Sequence, residues 1–126
     1  MTTPFWCLFI GCLIPFPLAA TAGYFKTRQF GSLDNKNPRV QTAALGGAGA
    51  RAAAAQSNAW EALAIFAAAV LVNHANGGDP GTSAMLALAW VGARILHAIF
   101  YITNIDLARS GVFLVGLGCT VALFFV

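Results

Sequence analysis

The chain has 126 residues, of which 59% are hydrophobic and only 9% are charged, and its formal net charge is +3. Soluble domains carry about 25% charged residues, so this composition excludes an ordinary soluble domain and indicates a protein that lies in lipid. One helical membrane crossing takes about 20 residues. The length therefore accommodates four spans joined by short loops, without a separate soluble domain.

The first apolar stretch, from Pro4 to Phe25, is interpreted as a retained membrane span. No basic residue precedes it, and it is longer than the apolar region of a signal peptide. Pro15 and Pro17 lie near its middle. Because each proline removes a backbone donor and crowds the preceding turn, this span is predicted to be kinked.

The three cysteines give no indication of a metal site. Cys7, Cys12 and Cys119 all lie in apolar segments and do not have the spacing of metal ligands. We interpret them as small hydrophobic residues embedded in the membrane.

Three further spans follow a loop at residues 26–42, which mixes charge with turn-forming residues. An alanine-rich helix is predicted from 41 to 74, and two shorter ones at 82–104 and 109–126. The second span is longer than the hydrocarbon core of about 30 Å, so its first turns are expected to project into water. The small residues from Gly46 to Ala50 favour close helix packing. The predicted fold is an all-α, four-helix membrane bundle that forms one domain over residues 1–126.

The basic residues indicate the orientation in the membrane. Four of the seven, Lys26, Arg28, Lys36 and Arg39, lie in the loop after the first span. The positive-inside rule places this loop in the cytoplasm and both termini outside. Binding to anionic lipid headgroups is an alternative, but Asp34 dilutes the charge of the loop and topology alone explains its basicity. The basicity makes no case for nucleic acid.

Polar residues within the spans are the informative ones for function. Arg51, Asn58 and Glu61 share one stripe of the second span, Arg94, His97 and Tyr101 share one stripe of the third, and Arg109 and Ser110 open the fourth. A charge at membrane depth costs at least about 2.5 kcal/mol, so Glu61 and Arg94 are predicted to form an ion pair. One alternative is that these groups only join the helices. The excess of arginine over glutamate instead favours an anionic ligand.

The same residues resemble the MAPEG superfamily, the membrane-associated proteins of eicosanoid and glutathione metabolism. The run from Arg51 through Asn58-Ala-Trp-Glu61 is similar to the family's second helix. Arg94-x-x-His97-x-x-x-Tyr101, followed by Arg109-Ser110, resembles the third and fourth helices of microsomal glutathione transferases and microsomal prostaglandin E synthase. The segment Asp34-Asn-Lys-Asn-Pro-Arg39 resembles a bacterial branch, which implies the inner membrane of a bacterium.

The resemblance implies a homotrimer that holds glutathione between neighbouring protomers near the cytoplasmic side. It assigns the glutathione thiolate to Arg109, with Ser110 as a hydrogen-bond donor to the sulfur. The other implied contacts are Asn58, Glu61, His97 and Tyr101, with Arg51 and Arg94 as supporting charges. The chain departs from the family pattern at Ala54, where many members carry an arginine, and at Ala62, where some carry a tyrosine.

These observations predict a glutathione-dependent membrane transferase or peroxidase that acts on lipophilic electrophiles or lipid hydroperoxides. A guanidinium beside a thiol favours the nucleophilic thiolate. The alternative is a non-catalytic structural or accessory subunit of a larger membrane complex, which the loss of the arginine at Ala54 would favour. A proton pathway through Glu61, His97 and Tyr101 lacks a second acidic group.

Overall fold

The computed structural model describes all residues, 1–126, as six helices without a strand. They are α1 (Thr3–Leu13), α2 (Pro15–Phe30), α3 (Pro38–Ala43), α4 (Gly47–Ala75), α5 (Pro80–Ile102) and α6 (Asp106–Leu123). Four helical segments are long and apolar enough to cross a membrane: Thr3–Phe30, Gly47–Ala75, Pro80–Ile102 and Asp106–Leu123. The predicted all-helical membrane fold is therefore confirmed.

The first span is divided at Ile14, as its prolines predict. Ile14 still donates its N–H to the carbonyl of Ile10 at 3.2 Å, but Pro15, which has no N–H, opens α2. The helix continues past Phe25 to Phe30, five residues further than predicted, and ends at Gly31 with a φ of +85°. Because that φ suits glycine, Gly31 stops the helix and places Lys26 and Arg28 on its last turns.

The second span begins later than the sequence predicts. A continuous helix from Gln41 is wrong, because the chain forms the short helix α3 and then breaks at residues 44–46. Gly46 is extended, and Gly47 has a φ of +59°, a backbone that glycine adopts without a steric penalty. The break could not be predicted from the alanine-rich pattern, because Gly46 and Gly47 are equally compatible with small residues that pack inside a helix.

The last two spans are also shifted. Helix α5 begins at Pro80 because Asp79 caps it, accepting a hydrogen bond from the N–H of Thr82 at 2.7 Å. That bond holds the pKa of Asp79 below its usual value, so the charged cap is lost only as the pH falls through the lowered value. Helix α6 begins at Asp106 rather than Arg109. Arg109 and Ser110 therefore lie inside the helix, about one turn from its start.

The core lies in the half of the bundle away from the charged loop. Phe66 of α4 stacks on Trp90 of α5, with ring centroids 3.7 Å apart and planes 4° from parallel. A Cβ on Gly11 would lie 3.0 Å from side-chain atoms of Leu63 and Trp90, so α1 approaches both helices closely. Only 26 of 126 residues are buried. The remaining apolar surface is suited to lipid.

Asn73 joins three helices at the end of the bundle that carries the termini. Its Nδ2 donates to the carbonyls of Leu123 and Val126 at 3.1 and 2.7 Å, and its Oδ1 accepts from the hydroxyl of Ser83 at 2.8 Å. The side chain is buried. Both the amide nitrogen and the amide oxygen of Asn73 are thus hydrogen-bonded, and these bonds connect α4 to α5 and to the end of α6.

Replacement of Asn73 by Ala should lower the free energy of unfolding by about 1–3 kcal/mol, because it leaves the Ser83 hydroxyl and two carbonyls without their partner. The measurement is reversible unfolding in mixed micelles. Asn76→Ala in the exposed turn is the matched control and should change stability by less than about 0.5 kcal/mol. Equal losses in the two variants would contradict a joining role for Asn73.

Gly49 lies at a close contact between helices, whereas Gly92 faces open space. A Cβ on Gly49 would lie 2.6 Å from the Cβ of Phe25 on α2, whereas a Cβ on Gly92 meets nothing within 4 Å. Gly49→Ala should therefore destabilise the bundle by about 1–3 kcal/mol. Gly92→Ala should be neutral or stabilising by up to about 1 kcal/mol, since alanine favours the helix. The same micelle unfolding assay compares them, and destabilisation by both would contradict the contact.

Candidate functional site

Helices α4, α5 and α6 enclose two neighbouring cavities toward the end of the bundle that carries the charged loop. The arginine cavity has a volume of about 330 Å³ and is lined by Asn58, His97, Tyr101, Arg109, Ser110, Phe113 and Leu114. Small-molecule sites range from about 300 to 1,000 Å³. Five of the eight predicted site residues therefore share one cavity of a suitable size.

The apolar cavity lies beside the arginine cavity, and the two share Asn58 and Phe113. Its volume is about 160 Å³. Its lining residues are Asn58, Glu61, Ala62, Ile65, Trp90, Arg94, Phe113, Gly116, Leu117 and Thr120. It accounts for two further predicted site residues, Glu61 and Arg94, among mainly apolar neighbours.

Arg109 stands over an aromatic ring in the arginine cavity. Its guanidinium carbon lies 4.4 Å from the ring centroid of Tyr101, within the distance of a cation–π contact. The ring of Tyr101 in turn meets that of His97 edge to face, with centroids 5.5 Å apart. No carboxylate forms an ion pair with Arg109, so this contact orients the guanidinium without neutralising it.

His97 is only 3% exposed, and its Nδ1 atom is buried without a hydrogen-bond partner. Buried polar atoms in folded proteins are usually satisfied, and each exception calls for an explanation. The ring of His97 lies near those of Tyr101 and Phe113, with centroids 5.5 and 6.2 Å away. The chain itself therefore supplies no partner to a ring nitrogen of His97, a residue that lines the arginine cavity.

The predicted ion pair between Glu61 and Arg94 is wrong. Arg94, 3% exposed, donates from Nη2 to the side-chain oxygen of Asn58 at 2.7 Å, and Glu61 is exposed. Asn58 and Glu61 are three positions apart along α4, which places their side chains about 60° apart around the helix. Asn58 faces α5, whereas Glu61 lies at the outer edge of the apolar cavity, so the amide takes the place of the carboxylate.

Arg51 lies outside both cavities. Its Nε donates to the carbonyl of Ile102, the last residue of α5, at 3.0 Å. Carbonyls at a helix C-terminus lack intrahelical partners, and a nearby cation stabilises that end of the helix. Of the eight predicted site residues, Arg51 is the one that the structure places apart from the cavities.

Phe113 and Leu114 complete the arginine cavity and were not predicted. Phe113 also contacts the ring of His97, with centroids 6.2 Å apart. They follow Ser110 by three and four positions, the spacing that brings residues onto one face of a helix. Their spacing from Ser110 could have predicted that they line the same site. It was not sufficient, because most residues of a membrane helix are apolar and these two do not differ from the others.

The fold and cavities describe an integral membrane protein with four spans that gathers unneutralised arginine, imidazole and phenol side chains at one end. A MAPEG family model matches residues 3–126, nearly the whole chain. The chain therefore belongs to the MAPEG family. No curated protein and no solved structure matches it.

Replacement of Asn58 by Ala should lower the free energy of unfolding by about 1.5–3 kcal/mol, because it removes the only hydrogen bond of a buried guanidinium. Glu61→Ala is the matched control on the same helix, and it should change stability by less than about 0.5 kcal/mol. Unfolding in mixed micelles measures both. A loss from Glu61→Ala as large as that from Asn58→Ala would restore the ion pair that the structure replaces.

Proposed function

We propose that this MAPEG protein is a glutathione-dependent membrane transferase or peroxidase. The observation that carries the proposal is the arginine cavity, in which Asn58, His97, Tyr101, Arg109 and Ser110 line one space. Its one arginine, Arg109, lacks a carboxylate partner, so an anionic molecule would find a charge that the protein itself does not neutralise. Glutathione offers two carboxylates and an ionisable thiol.

The proposed role of Arg109 is to stabilise the thiolate of bound glutathione. A cysteine thiol has a pKa of about 8.5 and is mostly protonated at neutral pH, and a nearby cation favours the thiolate. Arg109 and Ser110 also lie near the N-terminus of α6, the positive end of its dipole. In this proposal, Ser110 donates a hydrogen bond to the sulfur, and Tyr101 orients both the guanidinium and the peptide.

The remaining polar residues would hold the rest of the tripeptide. His97 offers an unsatisfied ring nitrogen, and Asn58, which lines both cavities, accepts a hydrogen bond from Arg94 at the wall of the apolar cavity. Glu61, at the wall of the apolar cavity, is placed to meet the amino group of glutathione or the second substrate. Arg51 would act indirectly, through the end of α5.

The second substrate is proposed to be lipophilic and to enter from the bilayer through the apolar cavity. In a transfer, the thiolate attacks an electrophilic carbon and displaces its leaving group. In a peroxidase reaction, it attacks the terminal hydroperoxide oxygen, releasing the alcohol and a sulfenic acid. A second glutathione then gives the disulfide and water.

A homotrimer and a bacterial inner membrane are part of the proposal. The arginine cavity is open at the surface of the single chain, so a neighbouring protomer would cover a ligand that one chain leaves exposed. The proposed orientation places the loop after the first span in the cytoplasm and both termini outside. It is supported by the position of the cations, since the outer turn at residues 76–79 carries only Asp79.

The second candidate is a non-catalytic subunit of a larger membrane complex. Two points favour it: Ala54 stands where the family resemblance implies an arginine in many eukaryotic members, and Arg51 donates to a backbone carbonyl rather than lining a cavity. In that case the polar residues would join helices only.

A glutathione titration separates these two functions. Binding to the folded protein raises its stability by mass action, so saturating glutathione should raise the melting temperature of the enzyme and leave that of a structural subunit unchanged. Conjugation of chlorodinitrobenzene and reduction of cumene hydroperoxide then distinguish a transferase from a peroxidase. The absence of both activities, together with no thermal shift, would contradict the proposed function.

Arg109→Ala should raise the pKa of the bound thiol by about one unit or more, because an opposite charge within a few ångströms shifts a pKa by about 1–3 units. The thiolate fraction at neutral pH should fall, by up to about tenfold for each unit by which the pKa rises, as measured by its ultraviolet absorbance. Arg109→Lys should retain part of the signal. Lys36→Gln removes one exposed charge of the loop and should leave the signal unchanged. An undiminished thiolate signal in Arg109→Ala would exclude the assigned role.

A further inference from the structure

The cationic loop, residues 26–39, carries Lys26, Arg28, Lys36 and Arg39, and none of these forms an ion pair. Lys26 donates to the carbonyl of Pro38 at 3.3 Å, and the other three side chains are exposed. Asp34 is the only acidic residue of the loop. Its Oδ1 accepts hydrogen bonds from the backbone N–H groups of Lys36 and Asn37 at 3.0 and 2.9 Å. The carboxylate therefore closes a turn and leaves the cations unpaired.

Two glutamines hold this loop in a defined shape. Gln41 accepts from the N–H of Asp34 at 3.1 Å and donates to the carbonyl of Ser32 at 2.8 Å. Gln29 donates to the carbonyl of Ala44 at 3.2 Å and accepts from the N–H of Gly46 at 3.0 Å. Each side chain therefore joins its own segment to two backbone groups of another segment, 7 to 17 residues away. The four cations are thus carried on an ordered scaffold.

The lengths of the adjoining helices place the loop among lipid headgroups. The first span has 28 residues and α4 has 29, so each is about 42–44 Å long at about 1.5 Å per residue. The hydrocarbon core is about 30 Å thick, and headgroups extend it to about 40–45 Å. The ends of both helices, and the loop between them, therefore reach the headgroup layer.

Exposed apolar side chains lie between the cations. Phe30, Leu33 and Val40 are 40%, 52% and 70% exposed. A segment that mixes lysine or arginine with apolar residues is suited to the membrane interface, where its apolar side chains insert and its cations meet phosphate.

We propose that the cationic loop binds the phosphate headgroups of anionic phospholipids in the leaflet next to the arginine cavity. The guanidinium groups of Arg28 and Arg39 suit phosphate oxygens, which they bind through paired hydrogen bonds. The ordered scaffold keeps the charges at headgroup depth, and Leu33 and Val40 insert beside them. This proposal is independent of glutathione binding.

The test compares the wild type with Lys36→Gln/Arg39→Gln in nanodiscs of phosphatidylcholine, with and without phosphatidylglycerol. Native mass spectrometry after release measures the retained lipid. The wild type should retain phosphatidylglycerol preferentially, and the double variant should lose about tenfold of that preference, since each cation near a membrane surface contributes to anionic-lipid attraction. Lys36→Arg keeps the charge and leaves Arg39 in place, and it should preserve the preference, as should His74→Gln at the opposite end.

An unchanged preference in the double glutamine variant would overturn the proposal. Added inorganic phosphate in discs of pure phosphatidylcholine tests a free-anion site, and a thermal stabilisation equal to that from phosphatidylglycerol would also overturn binding to lipid. Circular dichroism and melting in pure phosphatidylcholine establish that the variants fold. The wild type alone supplies a further measurement, because its preference should weaken as salt rises, and salt independence would contradict a charge-based site.

Discussion

A buried guanidinium without a carboxylate is the constraint on which the site depends. Arg94 is 3% exposed and reaches one hydrogen-bond acceptor, the amide oxygen of Asn58. An ion pair at this position would have neutralised the interior. An amide accepts the donor's hydrogen bond and leaves its charge in place, at the wall of the apolar cavity. Arg109 adds a second charge, held by the ring of Tyr101.

The two cavities meet at a narrow set of residues. Asn58 and Phe113 are the only lining residues that they share. One cavity is polar and cationic, and the other is largely apolar and faces the depth of the bundle. A water-soluble anion and a lipid-soluble molecule would thus approach each other across a polar and an aromatic side chain. Within the proposed function, this is the arrangement that a reaction between glutathione and a lipophilic substrate requires.

The sequence alone predicted much of this fold, and seven of the eight residues it singled out line the two cavities, because hydrophobic spans and interior polar residues are local signals. It predicted the kink at Pro15 for the same reason. It did not predict the break at residues 44–46, since Gly46 and Gly47 serve equally as packing residues and as helix ends. The partner of Arg94 was also missed. Charge alone favours Glu61, whereas the choice of Asn58 depends on the angle at which α4 faces α5.

The two ends of the bundle are held by different kinds of contact. Beyond the stacked rings of Phe66 and Trp90, the side chain of Asn73 ties α4, α5 and α6 together at one end. At the other end, the loop is held mainly by exposed side-chain bonds to the backbone. Local opening follows the weaker contacts. Amide hydrogens near α3 should therefore exchange with solvent well before those beside Asn73.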